Sequence, residues 1–168
     1  MFKGKFVKND YALTLFFALE VIKIIIVGSD HGGYELKRSI VKYLIAKKVE
    51  VKDLGTFSTE SVDYPDIAKN VCDLVVADSP NSTGILVCGT GIGMSIAANK
   101  IKGIRAALLN DSFSAVSAKK HNDANVICLG QRVLGKDLAL FIMDIFLSSD
   151  FEGERHQLRI DKITDFES

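Results

Sequence analysis

What this sequence lacks narrows its function before any motif is read. It has no excess of charge of either sign, 21 basic residues against 21 acidic ones. No basic excess exists to neutralise a nucleic-acid backbone, and no polybasic run suits an anionic membrane surface. Cysteine is scarce: Cys72, Cys88 and Cys128 are odd in number and show no CxxC spacing. A disulfide framework and a structural zinc site are thereby disfavoured, and a reducing, cytoplasmic compartment is expected. No apolar run is long enough to span a bilayer. The longest early stretch, residues 11–21, is bracketed by Asp10 and Glu20 and lacks a small-x-small cleavage site, so it does not read as a signal peptide. Internal repeats, low-complexity segments and interdomain linkers are missing too. Residues 1–21 therefore read as an extension of no evident function, dispensable or due to a misassigned start. Residues 22–168 read as a single domain.

What is present is an ordinary globular composition, 48% apolar and 25% charged. A chain of this length buries roughly two-thirds of its unfolded surface. Strand-like and helix-like segments alternate from residue 22 onward. Apolar runs at 22–28, 84–88 and 126–129 read as buried strands; residues 50–54 read as a short second strand and 105–109 as the fourth. Helices are expected at 34–47, from Pro65, at 94–100, at 112–120 and at 135–147, with a further one starting near Glu154. This alternation predicts an α/β fold, a three-layer α/β/α sandwich around a five-stranded parallel, Rossmann-like sheet. Ligands of such sheets bind beyond the carboxyl ends of the strands. Three loops stand there: 29–33 after the first strand, 88–93 after the third, and Gly130-Gln131-Arg132 after the fifth.

The loop after the third strand carries the strongest chemistry. Cys88 ends an apolar run and is followed by Gly89-Thr90-Gly91-Ile92-Gly93. Glycines let several N–H groups turn toward one point, and a helix start adds the positive end of a dipole. Such a loop suits an oxyanion or a phosphate, and its field favours a thiolate on Cys88. A small core cysteine beside a tight turn is the plainer reading. The spacing is not the GxGxxG dinucleotide fingerprint, and no GxxxxGK[ST] loop occurs. Asp30-His31 pairs an acid with an imidazole for proton transfer and anion contact, or else Asp30 merely caps a helix. Residues 121–125, His-Asn-Asp-Ala-Asn, join a helix to the fifth strand at the amino end of the sheet. His121 cannot easily reach Cys88 of its own subunit from there; if both are catalytic, the site is shared between subunits. The alternative is an Asn-rich turn. Arg155 and Arg159, at i and i+4, either fork a phosphate together or form a solvated face. Cys72 and Cys128 keep a core reading.

Taken together and in order, these segments resemble the type B ribose-5-phosphate isomerase family, which also contains galactose-6-phosphate and allose-6-phosphate isomerases. The likeness runs through residues 28–33, Asp63-Tyr64-Pro65, Cys88 to Gly93, residues 97–100 and 103–105. It continues through residues 121–126, Gly130-Gln131-Arg132 and residues 153–157. The resemblance implies a cofactor-free, metal-free aldose–ketose isomerisation through an enediolate, in a homodimer or a dimer of dimers. It implies that Cys88 moves a proton between the first two sugar carbons, and that Thr90 with the N–H groups of Gly89, Gly91, Ile92 and Gly93 stabilises the oxyanion. His121 would assist ring opening, and Asp30 the transfer between hydroxyls. His31, Arg155 and Arg159 would hold the phosphate, while Asn122 and Arg132 contact substrate oxygens. One branch of the family uses a glutamate where this chain has Met94, which cannot accept a proton. Members acting on galactose 6-phosphate lack the full histidine pattern, so His121 favours the pentose. A hexose-6-phosphate isomerase and a non-catalytic phosphosugar-binding module are the alternatives. A redox role for Cys88 is weakened by the lack of a resolving cysteine nearby in sequence.

Overall fold

The computed structural model describes residues 24–167. The expected extension at 1–21 and the first two residues of the expected opening strand lie outside the described residues. The described chain alternates as predicted: β1 (Ile24–Ser29), α1 (Tyr34–Ala46), β2 (Val51–Asp53), α2 (Tyr64–Ala77), β3 (Ser82–Cys88), α3 (Ile92–Ala98), β4 (Ala106–Leu108), α4 (Ser112–Lys120), β5 (Val126–Gly130), α5 (Lys136–Leu147) and α6 (Arg155–Thr164). All strand pairs are parallel, in the order β2-β1-β3-β5-β4.

Strands that are apolar at every position need cover on both faces, because successive side chains point to opposite sides. Ile25, Val27, Ile85, Val87, Ile127 and Leu129 face one layer, packed against Leu36, Ile40 and Leu44 of α1, Ala115 of α4, and Ile142 and Phe146 of α5. Ile26, Leu86, Val126 and Cys128 face the other, against Val71, Cys72 and Val75 of α2 and Met94 and Ala98 of α3. Each fully buried branched side chain contributes about 1.5–3 kcal/mol. These two cores fill the two interfaces of the three layers.

Helix starts follow local chemistry. Asp63 precedes α2 with extended backbone and Pro65 in its first turn. Asp111 caps α4 by accepting the Ser114 N–H at 2.8 Å. Helix α3 begins at Ile92, earlier than the sequence suggests, directly after Gly91 in the left-handed conformation. The chain passes from β1 outward to β2 and then crosses back to β3 on the opposite side of β1. The sheet therefore reverses direction between β1 and β3, the position where open α/β sheets form their ligand crevice.

Candidate active site

Asp30 and Cys88 leave that reversal point side by side. Ser29 is paired with Val87, and the Asp30 N–H donates to the Val87 carbonyl at 3.2 Å. Asp30 Oδ1 accepts the Gly33 N–H at 3.0 Å, so the capping role is real, and it fixes a carboxylate beside the thiol. Gly33 sits directly on the end of β3: a Cβ there would lie 2.4 Å from the Val87 carbonyl oxygen. Cys88 is 5% exposed, and its Sγ accepts the Gly91 N–H at 3.1 Å. That bond places a donor on the atom that would carry negative charge. Gly91 has φ +79°, and a Cβ on it would meet Leu108 Cδ1 at 2.5 Å and the Leu129 carbonyl carbon at 3.1 Å. Glycine is required there twice over, by backbone conformation and by the approach to β5.

The glycine loop differs in one respect from a simple ring of donors. The Gly91 N–H is spent on the sulfur, and the Ile92 N–H donates to Thr90 Oγ1 at 3.3 Å. Two of the amides assigned to an oxyanion are thus engaged within the loop, because the tight turn folds it over Cys88. The third loop docks onto the same spot. Gln131 N–H donates to the Cys88 carbonyl and Arg132 N–H to the Gly89 carbonyl, each at 2.9 Å. The Arg132 guanidinium lies 3.4 Å from where a Cβ on Gly89 would be. His31 Nδ1 accepts the Val62 N–H at 3.3 Å, which puts the proton of the neutral ring on Nε2. The segment carrying Val62 is held by Asp53, which accepts the Gly55 N–H at 2.9 Å and pairs at 2.7 Å with Lys37, a side chain 1% exposed. Asp30, His31, Cys88, Thr90 and Arg132 therefore share one end of the sheet. Met94 is fully buried in the core and offers no second base. Burial pushes the Cys72 thiol up to about 12 and the Cys128 thiol well above its ordinary value, which keeps both protonated.

His121, Asn122, Arg155 and Arg159 lie elsewhere. His121 terminates α4, whose turn into β5 is clamped by Arg105. Its Nε donates to the Asn122 and Asp123 carbonyls, each at 3.0 Å, and its Nη2 pairs with Asp123 Oδ2 at 2.9 Å. This turn precedes Val126, which pairs with Gly84, whereas Cys88 pairs with Gly130. Four residues of strand separate the two levels, about 13 Å along the sheet. The His121 ring stacks on His156, centroids 4.5 Å apart and planes 9° from parallel. Glu152 Oε2 stands 3.9 Å from His121 Nε2 and 3.7 Å from His156 Nε2. Parallel rings cannot aim both nitrogen lone pairs at one ion, and Arg155 Nε donates to His156 Nε2 at 3.4 Å. The cluster is a stacked pair rather than a convergent donor set. Burial, followed by the nearness of His121, Arg155 and Arg159, holds His156 below the ordinary histidine range, with Glu152 acting against them. A groove of about 660 Å³, lined by Arg105, Leu108, Ser117, Asn122, Ile163 and Phe166, passes Asn122 but is lined by neither the His121–His156 stack nor Cys88.

The sequence alone points to no role for Tyr64, His156, Glu152 or Arg105. Tyr64 sits where a Cβ on Gly93 would lie 2.9 Å from its ring, and it is 40% exposed at the rim of the Cys88 cluster. His156 had a legible signal: it lies four residues before Ile160, on the one apolar stripe of α6.

Comparison with known proteins covers nearly all of this region. The model of a family described as Ribose/Galactose Isomerase matches residues 25–163. The chain is 48% identical over 146 residues to ribose-5-phosphate isomerase B of Escherichia coli, covering 87% of this chain and 97% of that one. The solved structure of ribose-5-phosphate isomerase B from Clostridium thermocellum superposes with a TM-score of 0.83 at 50% identity, covering 86% of this chain and 97% of the other. That of the Mycoplasma genitalium enzyme with bound ribulose 5-phosphate gives 0.83 at 45% identity, covering 86% and 95%.

Proposed function

The chain belongs to the ribose/galactose isomerase family, and we propose that it interconverts ribose 5-phosphate and ribulose 5-phosphate through an enediolate, each site being built from two copies of the chain. The observation that carries the activity is its likeness, over nearly their full length, to ribose-5-phosphate isomerases B. In the proposed reaction Cys88, as thiolate, takes the proton from C2 of the open-chain aldose, and the electron pair moves to O1. The thiol returns the proton to C1 while a proton passes from O2 to O1, with Asp30 as carrier. The reaction is internally balanced, so no cofactor is called for. Thr90, with those amides of Gly89 to Gly93 that the loop leaves unengaged, faces the developing oxyanion, where each donor is worth about 3 kcal/mol. Arg132 contacts substrate oxygens beside Gly89.

His121, Asn122, Arg155 and Arg159 come from the second copy, His121 opening the furanose and the arginines holding the phosphate with His31. The support for sharing is the separation of the two clusters along the sheet within one chain. A dimer is the smallest assembly that satisfies it, and a dimer of dimers satisfies it equally. A cytoplasmic setting suits three unpaired thiols, and among the described residues no helix is long and apolar enough to cross a membrane.

Steady-state kinetics on ribose 5-phosphate, allose 6-phosphate and galactose 6-phosphate, run in parallel, test the reading. The pentose phosphate is expected to give the highest kcat/KM, and Cys88→Ala to lower kcat by at least about 100-fold while leaving the fold intact. Preference for a hexose phosphate would reassign the substrate. Wild-type turnover in Cys88→Ala would remove Cys88 as the base. Binding of all three sugar phosphates without turnover of any would make the protein a phosphosugar-binding module.

A further inference from the structure

Opening a furanose is a demanding proton relay for one imidazole. The C1–O4 bond breaks with its electron pair going to O4, which must gain a proton, while the O1 hydroxyl loses one and C1=O1 forms. Both oxygens have to be met by a ring held in one plane. His121 stands at the open end of a helix, where a half-exposed side chain would otherwise exchange among rotamers.

It is not left to do so. The His121 ring lies face-on against His156, 4.5 Å between centroids and 9° from parallel. His156 is 5% exposed and shares the buried face of α6 with Ile160, so the surface it offers is rigid. Arg155 Nε donates to His156 Nε2 at 3.4 Å, which makes that nitrogen the unprotonated one and places the neutral ring's proton on Nδ1. Two stacked imidazoles attract only while they do not both carry charge. The charged groups facing the pair are Arg155 and Arg159 from α6, Lys120 from the end of α4, and Glu152 from the segment between α5 and α6, itself 3.3 Å from Lys120. Burial, the nearness of His121, and the Arg155 and Arg159 cations disfavour a second positive charge on His156, with Glu152 acting the other way.

We propose that His156 is a positioning residue for ring opening: its buried imidazole is the platform that fixes the plane of the His121 ring. This rests on the assignment of His121 to ring opening. His156 contacts no sugar atom in this scheme and acts only through the stack.

The two directions of the reaction separate this role from a structural one. Ribose 5-phosphate is bound as a furanose. Ribulose 5-phosphate cannot close a furanose, because its O5 carries the phosphate, and so enters as an open chain. His156→Ala should lower kcat from saturating ribose 5-phosphate by about 10-fold or more and change kcat from saturating ribulose 5-phosphate by less than about twofold. His156→Phe, which keeps a flat ring in the same place, should restore the forward value to within about threefold of wild type. An unchanged forward-to-reverse ratio in His156→Ala overturns the proposal, and so does a His156→Phe that folds yet is as impaired as the alanine variant. If the alanine variant does not fold, the phenylalanine variant alone decides. His121→Ala, run beside them, separates the levels. If it lowers only the forward direction while His156→Ala does not, the platform alone is wrong. If it leaves the ratio unchanged, the His121 assignment is wrong and the platform falls with it.

Discussion

Mixing an inactive Cys88→Ala chain with an inactive His121→Ala chain should regenerate activity, to a level that the geometry fixes in advance. Within one chain Cys88 lies level with Gly130, while the His121 turn lies before Val126, about 13 Å lower along the sheet. An extended five-carbon sugar spans roughly 5 Å between its end carbons, given carbon–carbon bonds of about 1.5 Å. One copy therefore cannot present both groups to the same C1–C2 edge. In the proposed two-fold dimer, each site would take Cys88 from one copy and His121 from the other. A mixed dimer then holds one site with both lesions and one with neither, so it works at about half the wild-type rate. Random reassortment at equal concentrations makes about half the dimers mixed, giving about a quarter of wild-type specific activity overall. The assay is co-expression with two different affinity tags, tandem purification of the mixed dimer, and initial rates on ribose 5-phosphate. Cys88→Ala paired with Arg159→Ala should complement in the same way. His121→Ala paired with Arg159→Ala should not, because both lesions fall in the same half. A purified mixed dimer no more active than its parents would refute the shared site.

Two further predictions concern the folded state. Gly91→Ala forces an L side chain to φ +79° and drives a Cβ to 2.5 Å from Leu108 Cδ1; the conformational cost of about 1–2 kcal/mol adds to an overpacking cost of about 1–3 kcal/mol. Urea unfolding should show a loss of about 2–5 kcal/mol together with loss of turnover, and a midpoint equal to wild type would contradict the close packing of the loop on β5. His156 should make the protein acid-sensitive. Burial first, then His121, Arg155 and Arg159, hold its folded basicity below the ordinary value near 6.5, with Glu152 opposing and Lys120 nearby. The unfolded chain therefore takes up a proton there before the folded one does, and the stability present above that value is lost as pH falls through it. Urea midpoints at pH 7.5 and 5.5 should drop further for wild type than for His156→Phe; parallel drops would assign the sensitivity to other groups.

How far the sequence could be read depended on the range of the interaction that decides each feature. β1, β3 and β5 were legible because a strand buried on both faces is a run of Ile, Val and Leu, a local signal. β2 and β4 are shorter than the segments 50–54 and 105–109 expected from sequence. Each pairs with a single neighbour at the sheet edge, so pairing ends where that neighbour's register does. Helix α3 starts at Ile92, before the sequence suggests, because Gly93 reads as a helix breaker whereas its missing side chain is what admits the Tyr64 ring. The order β2-β1-β3-β5-β4 rests on long-range pairing and has no local trace. At the site, Cys88, Asp30 and the glycine loop announced themselves by residue type. The Glu152–His156–His121 cluster did not, because it forms only when α6 folds back onto the end of α4.

The contact between Gly33 and the end of β3, and between Gly91 and the carbonyl carbon of Leu129, makes the base of the Cys88 cluster a seam of main chain against main chain. A surface of that kind has no side chains to exchange, so it cannot be deepened, widened or recharged by substitution without breaking the fold beneath it. Change in what the pocket admits is confined to its walls, Tyr64, Thr90 and Arg132 on one side and whatever second surface closes over them. The chemistry is thereby anchored to the architecture, while the choice of sugar stays open to drift along a rim only a few residues wide.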